Sequence, residues 1–322
     1  MSFTKTVALP ISPDEAFALV TQPERLRRWK AVTAQIDLRV GGEYRYSVTP
    51  GHHAGGTVRE IEPGKRVVIG WGWEGDDALP YDASTVTISI EPSADGSLLT
   101  LTHEGLTPEQ AIGHAEGWNH FLARLEKAAA TGDAGPDEWS WAPENLSPIV
   151  AAEAGLAVLQ PILRNLKESD RTLPTPCVEF TVHDLAEHLM GSLISLGSMA
   201  GVEIAAPEGS LEHKVSTLAA DALEPWRTFD LSGNVIGREI PAAFAVNIFA
   251  IEFVLHAWDF AQATGQELHV SDEVVNYVTQ LAEVVIPVAR PNGSFADELA
   301  ASPDASPLER LAALSGRRPL AA

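Results

Sequence analysis

Asn247-Ile248-Phe249-Ala250-Ile251-Glu252-Phe253-Val254-Leu255-His256-Ala257-Trp258-Asp259-Phe260 is the stretch on which the reading of this chain turns. Apolar on nearly every side, it predicts a helix buried all round rather than one laid on a surface. Within it Glu252, His256 and Asp259 fall at i, i+4 and i+7, on one stripe of that helix. A buried polar group without a partner costs about 2–7 kcal/mol, so the stripe must be satisfied. Glu252 and His256 can hydrogen-bond each other or a facing helix. Alternatively they can share a divalent cation, because a carboxylate oxygen and an imidazole nitrogen one helical turn apart reach a single ion at about 2.0–2.2 Å. His188, partly inward on a second amphipathic segment, is then the third ligand. The E-x-x-x-H spacing alone does not choose between the two solutions.

Composition sets the outer limits. At 322 residues the chain exceeds one typical core, and with 45% hydrophobic residues it has material for two. Its net charge of −22 argues against nucleic acid or an anionic membrane as partner, since both would repel it. Cys177 is the only cysteine, which excludes an internal disulfide and points to a reducing compartment. Residues 1–6 lack the apolar core of a signal peptide, and no uninterrupted apolar run reaches membrane-spanning length. A cytoplasmic protein is expected, with no role for nucleic acid or membrane.

The first half reads as α+β. Residues 3–9 alternate as a strand, and Ser12-Pro13-Asp14-Glu15 opens a helix with a capping box and a proline at its first position. Strands are expected at 36–40, 43–48, 56–61, 66–71, 84–90 and 98–102, the last two flanking a hairpin signal at Ala94-Asp95-Gly96. His52-His53, between Pro50-Gly51 and Gly55-Gly56, reads as a mobile loop. Thr107-Pro108-Glu109-Gln110 caps a long helix with Ala111, Ala115, Trp118, Leu122 and Leu125 on one face and Gly132 as its stop. Trp71, Trp73, Trp118, His103, His114 and His120 are read as ordinary core or rim positions, and no metal site is expected here.

This half resembles the helix-grip fold of SRPBCC domains, in the branch similar to the activator of the heat-shock-protein ATPase. The motifs that carry the resemblance are Ser12-Pro13-Asp14-Glu15-Ala16-Phe17, Pro23 to Trp29, Asp37-Leu38-Arg39-Val40-Gly41-Gly42 and His114 to Trp118. It implies an apolar cavity between sheet and helix, and hence an apolar ligand.

A polar, breaker-rich stretch follows, and the domains are placed at 1–131 and 145–322 with a linker at 132–144. Helices are expected from Ser147-Pro148 (kinked or restarted at Pro161), from the Thr181-Asp184 cap, over 241–264 and from Ser271 to about Ile286, where Pro287 should end the last. Residues 208–223 read as a short helix or insertion, and the tail as a loop with one short helix near 306–315. Four principal helices with their polar set inside make a bundle, a fold that places metals between facing helices.

Thr175-Pro176-Cys177, Val182 to Leu189, Glu252 to Asp259 and the downstream Ser294-Phe295-Ala296, Pro307 to Leu311 and Ser315-Gly316-Arg317 resemble the DinB-like metalloproteins. The closest branch is the group similar to mycothiol-dependent maleylpyruvate isomerase. The resemblance implies a divalent ion on His188, Glu252 and His256, an open coordination position, and mycothiol as a co-substrate. Zinc is the default for that donor set, with nickel, iron and manganese as alternatives. Asp259 either orients a ligand or caps a neighbouring backbone. The resembling isomerase carries an extra C-terminal domain in place of the front domain seen here, so maleylpyruvate itself is not the expected substrate. The leading expectation is therefore a metal-dependent enzyme that adds or transfers a small thiol to a small electrophile. The alternatives are a metal-dependent hydrolase with Glu187 or Asp184 as base, a non-enzymatic ligand binder, and last a co-chaperone.

Overall fold

In the computed structural model, which describes residues 1–177 and 179–320, the chain divides into two compact units, Met1–Gly135 and Pro136–Ala322. The division falls inside the stretch expected as a linker. That stretch is not bare: Ala134 is buried in the first unit, and Glu138–Trp141 forms a short helix, α4, in the second.

The first unit runs β1 (Phe3–Leu9), α1 (Pro13–Thr21), α2 (Pro23–Leu26), β2 (Thr33–Ile36), β3 (Glu43–Thr49), β4 (His52–Glu62), β5 (Arg66–Trp73), β6 (Ser84–Ser93), β7 (Gly96–Glu104) and α3 (Pro108–Thr131). The strands form one antiparallel sheet in the order β1-β7-β6-β5-β4-β3-β2. Val86, Ile88 and Ile90 pair with His103, Leu101 and Leu99, and all six side chains are buried. Trp118, Phe121, Leu122 and Leu125 of α3 join them in the core. A single antiparallel sheet with a long helix fits the expected helix-grip arrangement. Both expected capping boxes form, on Ser12 with Glu15 and on Thr107 with Gln110, and Gly132 ends α3 at φ +88°.

Two local expectations are corrected. The strand read at 36–40 ends at Ile36, because the chain turns so tightly over 37–42 that a Cβ on Gly42 would lie 2.0 Å from the Asp37 carbonyl. His52-His53 is not a loop but the start of β4, reached from β3 by a tight turn. Gly55 and Gly56 are not breakers there. They let the Tyr81 ring and the β5 backbone approach, where any Cβ would collide.

The second unit is all-helical: α5 (Pro148–Asn165), α6 (Val182–Met199), α7 (Leu211–Trp226), α8 (Ala242–Thr264), α9 (Asp272–Ala289) and α10 (Pro307–Leu314) follow α4. The 208–223 stretch, expected as a short helix or insertion, is a helix from Leu211 on, α7, capped by Ser210 and anchored by the buried Trp226. It packs between α5 and α6, so α5, α7, α6 and α8 touch in a ring, while α9 lies against α8 and α10 against α9. Neither Pro161 nor Pro287 ends its helix. At 23 residues with mean hydropathy 1.4, α8 is long and apolar enough to cross a membrane by length and composition, which qualifies the expectation of no such run. It is mostly buried within the unit, with Phe249, Phe253 and Phe260 inaccessible, each contributing about 1.5–3 kcal/mol.

Close approach of α5 to α8 depends on Gly155. A Cβ there would lie 2.9 Å from the Phe253 Cβ and 3.2 Å from the Val254 Cγ2. Gly155→Val is therefore expected to lower stability by about 1–3 kcal/mol through overpacking. Gly191→Ala in α6, where nothing lies within 4 Å, should raise it, by about 0.5–1 kcal/mol. Urea denaturation of the full chain followed by circular dichroism measures both.

Candidate metal centre

The stripe on α8 faces α6. His188 Nε2 lies 3.6 Å, and His256 Nε2 3.4 Å, from the same oxygen, Glu252 Oε2. One donor atom from each of the three residues falls within 4.8 Å of the others. Buried Glu252 Oε2 and His256 Nε2 have no hydrogen-bond partner. Both separations exceed the 2.7–3.2 Å of an N–H···O bond. They match the roughly 3.4 Å between two donors that each stand about 2.1 Å from a tetrahedral ion.

The other imidazole nitrogen of His256 explains why Nε2 stays unpartnered. Nδ1 lies 2.9 Å from Asp259 Oδ2, and Arg317 Nε donates to both oxygens of that carboxylate at 3.0 Å. Asp259 is fully buried and Arg317 nearly so. With its proton on Nδ1, a neutral His256 turns the Nε2 lone pair toward the Glu252 carboxylate, and two lone pairs that close require a cation or a proton between them. Without a metal, a proton fills that role. Burial opposes charge on His256, but Glu252 and Asp259 outweigh it and raise its pKa. Burial likewise opposes charge on Glu252, but His256 and then His188 hold its carboxyl below the usual carboxylate range.

The donor set is open on one side. The side chain of His188 is 39% exposed, against 13% for Glu252 and 3% for His256, so access lies on the α6 side. Phe180 packs against the His188 ring with centroids 5.2 Å apart. Asp184, one of the two carboxylates weighed as a hydrolytic base, caps α6 instead. Its carboxylate takes the backbone N–H and hydroxyl of Thr181, which lowers its pKa and makes it a weaker base. Glu187 is exposed. Cys177 feels the charges of Arg317, Asp259 and Glu252, and burial first, then the carboxylates, push its thiol pKa up.

In the first unit, residues read as ordinary core form one connected cluster. Trp118 Nε1 donates to His103 Nδ1, and the His103 Nε2 contacts Ser84 Oγ at 2.8 Å. Trp73 Nε1 donates to His114 Nε2, whose Nδ1 contacts the Gln110 carbonyl at 2.8 Å. Burial lowers the pKa of both imidazoles, that of His103 to about 3. Trp71, Trp73, Trp118, Phe121 and His114 line a cavity of about 330 Å³, and Lys30 completes its wall.

Residues 10–130 match the family model described as activator of Hsp90 ATPase homolog 1-like protein. The first unit is an AHSA1-like domain. Among solved structures, an AHSA1-like protein of Rhizobium etli is 35% identical, covering 46% of this chain and 91% of that one at a TM-score of 0.37. CalU16 of Micromonospora echinospora is 27% identical, covering 42% and 76%, at 0.34. Two Mycobacterium tuberculosis relatives, the uncharacterized proteins MT0763 and Rv0738 of two strains, are each 28% identical over 180 residues, 53% of this chain and 98% of theirs. That span exceeds the length of the AHSA1-like unit and so reaches into the helical one.

Sequence reading assigns no role at a site to Arg317, Lys30 or Cys177. Arg317 meets Asp259 across 58 positions of sequence. Lys30 and Cys177 sit near clusters assembled from distant elements. Arg317→Met would leave the Asp259 carboxylate buried without its counter-charge, and a loss of about 3–5 kcal/mol is expected. Adding Asp259→Asn should recover part of that loss, and chemical denaturation of the single and double variants checks both.

Proposed function

We propose that the helical unit is a DinB-like metal-binding unit in which His188, Glu252 and His256 hold one divalent ion. Zinc is favoured by the two-nitrogen, one-oxygen donor set. We further infer that the chain uses this ion on a low-molecular-weight thiol such as mycothiol, for addition or S-transfer to a small electrophile. The observation that carries the reading is the pair of buried, unpartnered atoms, Glu252 Oε2 and His256 Nε2, directed at the same space as His188 Nε2.

Bound there, the ion would supply a Lewis-acid position that lowers the pKa of a coordinated thiol. The remaining roles belong to the chain. Asp259 holds the Nδ1 proton of His256 and so keeps Nε2 free to ligate, and Arg317 fixes Asp259. Exposure of His188 leaves the α6 side for the incoming molecule, and Phe180 gives that opening an apolar edge. The AHSA1-like domain contributes a second small-molecule site, its aromatic-lined cavity, supported by the space of about 330 Å³ beside Trp71, Trp73 and Trp118.

Elemental analysis of protein purified without a histidine tag is expected to give about one divalent ion per chain. His256→Ala should lose it, and chelation of wild type should reproduce most of the accompanying fall in Tm. Metal-loaded protein should accelerate thiol addition to a Michael acceptor, and His256→Ala should not. Retention of stoichiometric metal by His256→Ala would sink the site. Ester hydrolysis without thiol addition would replace the reaction with the hydrolytic one.

A further inference from the structure

Lys30 stands at the end of the turn that follows α2, and its direction is fixed by its neighbours. The Trp29 indole N–H donates to the Leu19 carbonyl at 2.9 Å, Arg124 holds the Trp29 carbonyl at 3.1 Å, and the Lys30 amide donates to the Leu26 carbonyl. The lysine side chain is thereby turned into the domain, where the residue is 6% exposed. Its Nζ lies 4.6 Å from the ring centres of Trp71 and Trp118 and 4.8 Å from that of Tyr46. Ring faces attract an ammonium but do not cancel its charge. Among the described residues no carboxylate and no hydrogen-bond acceptor reaches Nζ, although acidic residues outnumber basic ones two to one in this chain, 44 to 22.

The polar groups around it offer no anion either. His103 and His114 have their acceptor nitrogens occupied by the indoles of Trp118 and Trp73, and burial pushes the Tyr46 phenol well above its ordinary pKa, so it stays neutral. Burial brings the Lys30 amine down to about 7, which is the cost of a charge held without a partner. Beside Nζ is the cavity of about 330 Å³, within the range of about 300–1,000 Å³ typical of small-molecule sites. On the α3 side of the cavity stand Gly113 and Gly117, where a Cβ would meet nothing within 4 Å.

We propose that this cavity binds an aromatic carboxylic acid, its carboxylate completing the ion pair that Lys30 lacks and its flat body packed among Trp71, Trp73 and Trp118. The inference deepens the reading of the AHSA1-like domain as a ligand site and rests on it. The acid supplies what the site is missing: a negative oxygen acceptor at one end and apolar surface for the rest. A neutral ligand of the same shape fills the cavity and leaves the cation uncompensated.

The test is calorimetric titration of the full chain with 2-naphthoate and with its neutral analogue 2-naphthamide. Naphthoate is expected to bind at least about tenfold tighter, the range of a hydrogen bond to a charged group. Lys30→Met keeps an apolar chain of similar length and removes the charge. It should abolish the preference while leaving naphthamide affinity within about threefold, since only the charge-assisted contact is lost. Equal affinities in wild type, or a preference that survives Lys30→Met, would overturn the assignment of an acid while leaving the cavity a ligand site. Failure of both probes to bind would overturn the cavity reading as well. The wild-type comparison stands without the variant, and Lys30→Gln repeats the variant arm should Lys30→Met fail to fold.

Discussion

A carboxylate and an imidazole buried side by side in a helix with no polar face impose one condition on the helical unit: positive charge must sit between them. Most of what surrounds α8 follows from meeting it. Asp259 occupies the far nitrogen of His256, so the near one is left for the shared space, and Arg317 neutralises Asp259 in turn. The apolar remainder of α8 is covered by α5 on one side, at a distance only Gly155 permits, and by α6 and α9 on others. A helix this apolar supplies little solvent screening, so Coulomb terms that are modest in water become decisive there.

The two units present opposite electrostatic problems. In the helical unit an anionic oxygen faces a nitrogen lone pair and lacks a cation. In the AHSA1-like domain an amine is ringed by aromatic faces and lacks an anion. Both arrangements are costly to build, and among the described residues neither the Glu252 Oε2–His256 Nε2 pair nor Lys30 Nζ is closed by a hydrogen bond from a neighbouring side chain. Glu153 and Glu212 each face an arginine of opposite charge, Arg227 and Arg164, within the fold. Groups kept unsatisfied in a well-packed interior are where a ligand has most to contribute.

What could be read in advance divides along the same physical line. Caps, hairpin turns and amphipathic stripes are local, and Ser12, Thr107, Thr181 and Ser306 each start a helix with the residue three positions on answering them. The α8 stripe was legible because its residues share one helix, and His188 was reached through its own helix face together with a family resemblance. Arg317, Lys30 and the place of α7 in the ring were not, since each depends on contacts between segments far apart in sequence. Pro287 shows the converse: local propensity predicts a stop, yet α9 runs on to Ala289, just as α5 continues past Pro161, where a kink or restart is expected.

The sheet order also has a consequence for synthesis. β1 lies at one edge and pairs along its whole length with β7, Phe3 opposite His103 and Leu9 opposite Ser97. Of the strands of this sheet, the first to be synthesised therefore waits for the last before it has a partner. Closing so long a loop is entropically expensive and slow. Until β7 emerges, the alternating apolar face of β1 is an unpaired edge, so nascent AHSA1-like domain is most exposed to misassociation just before its sheet can close.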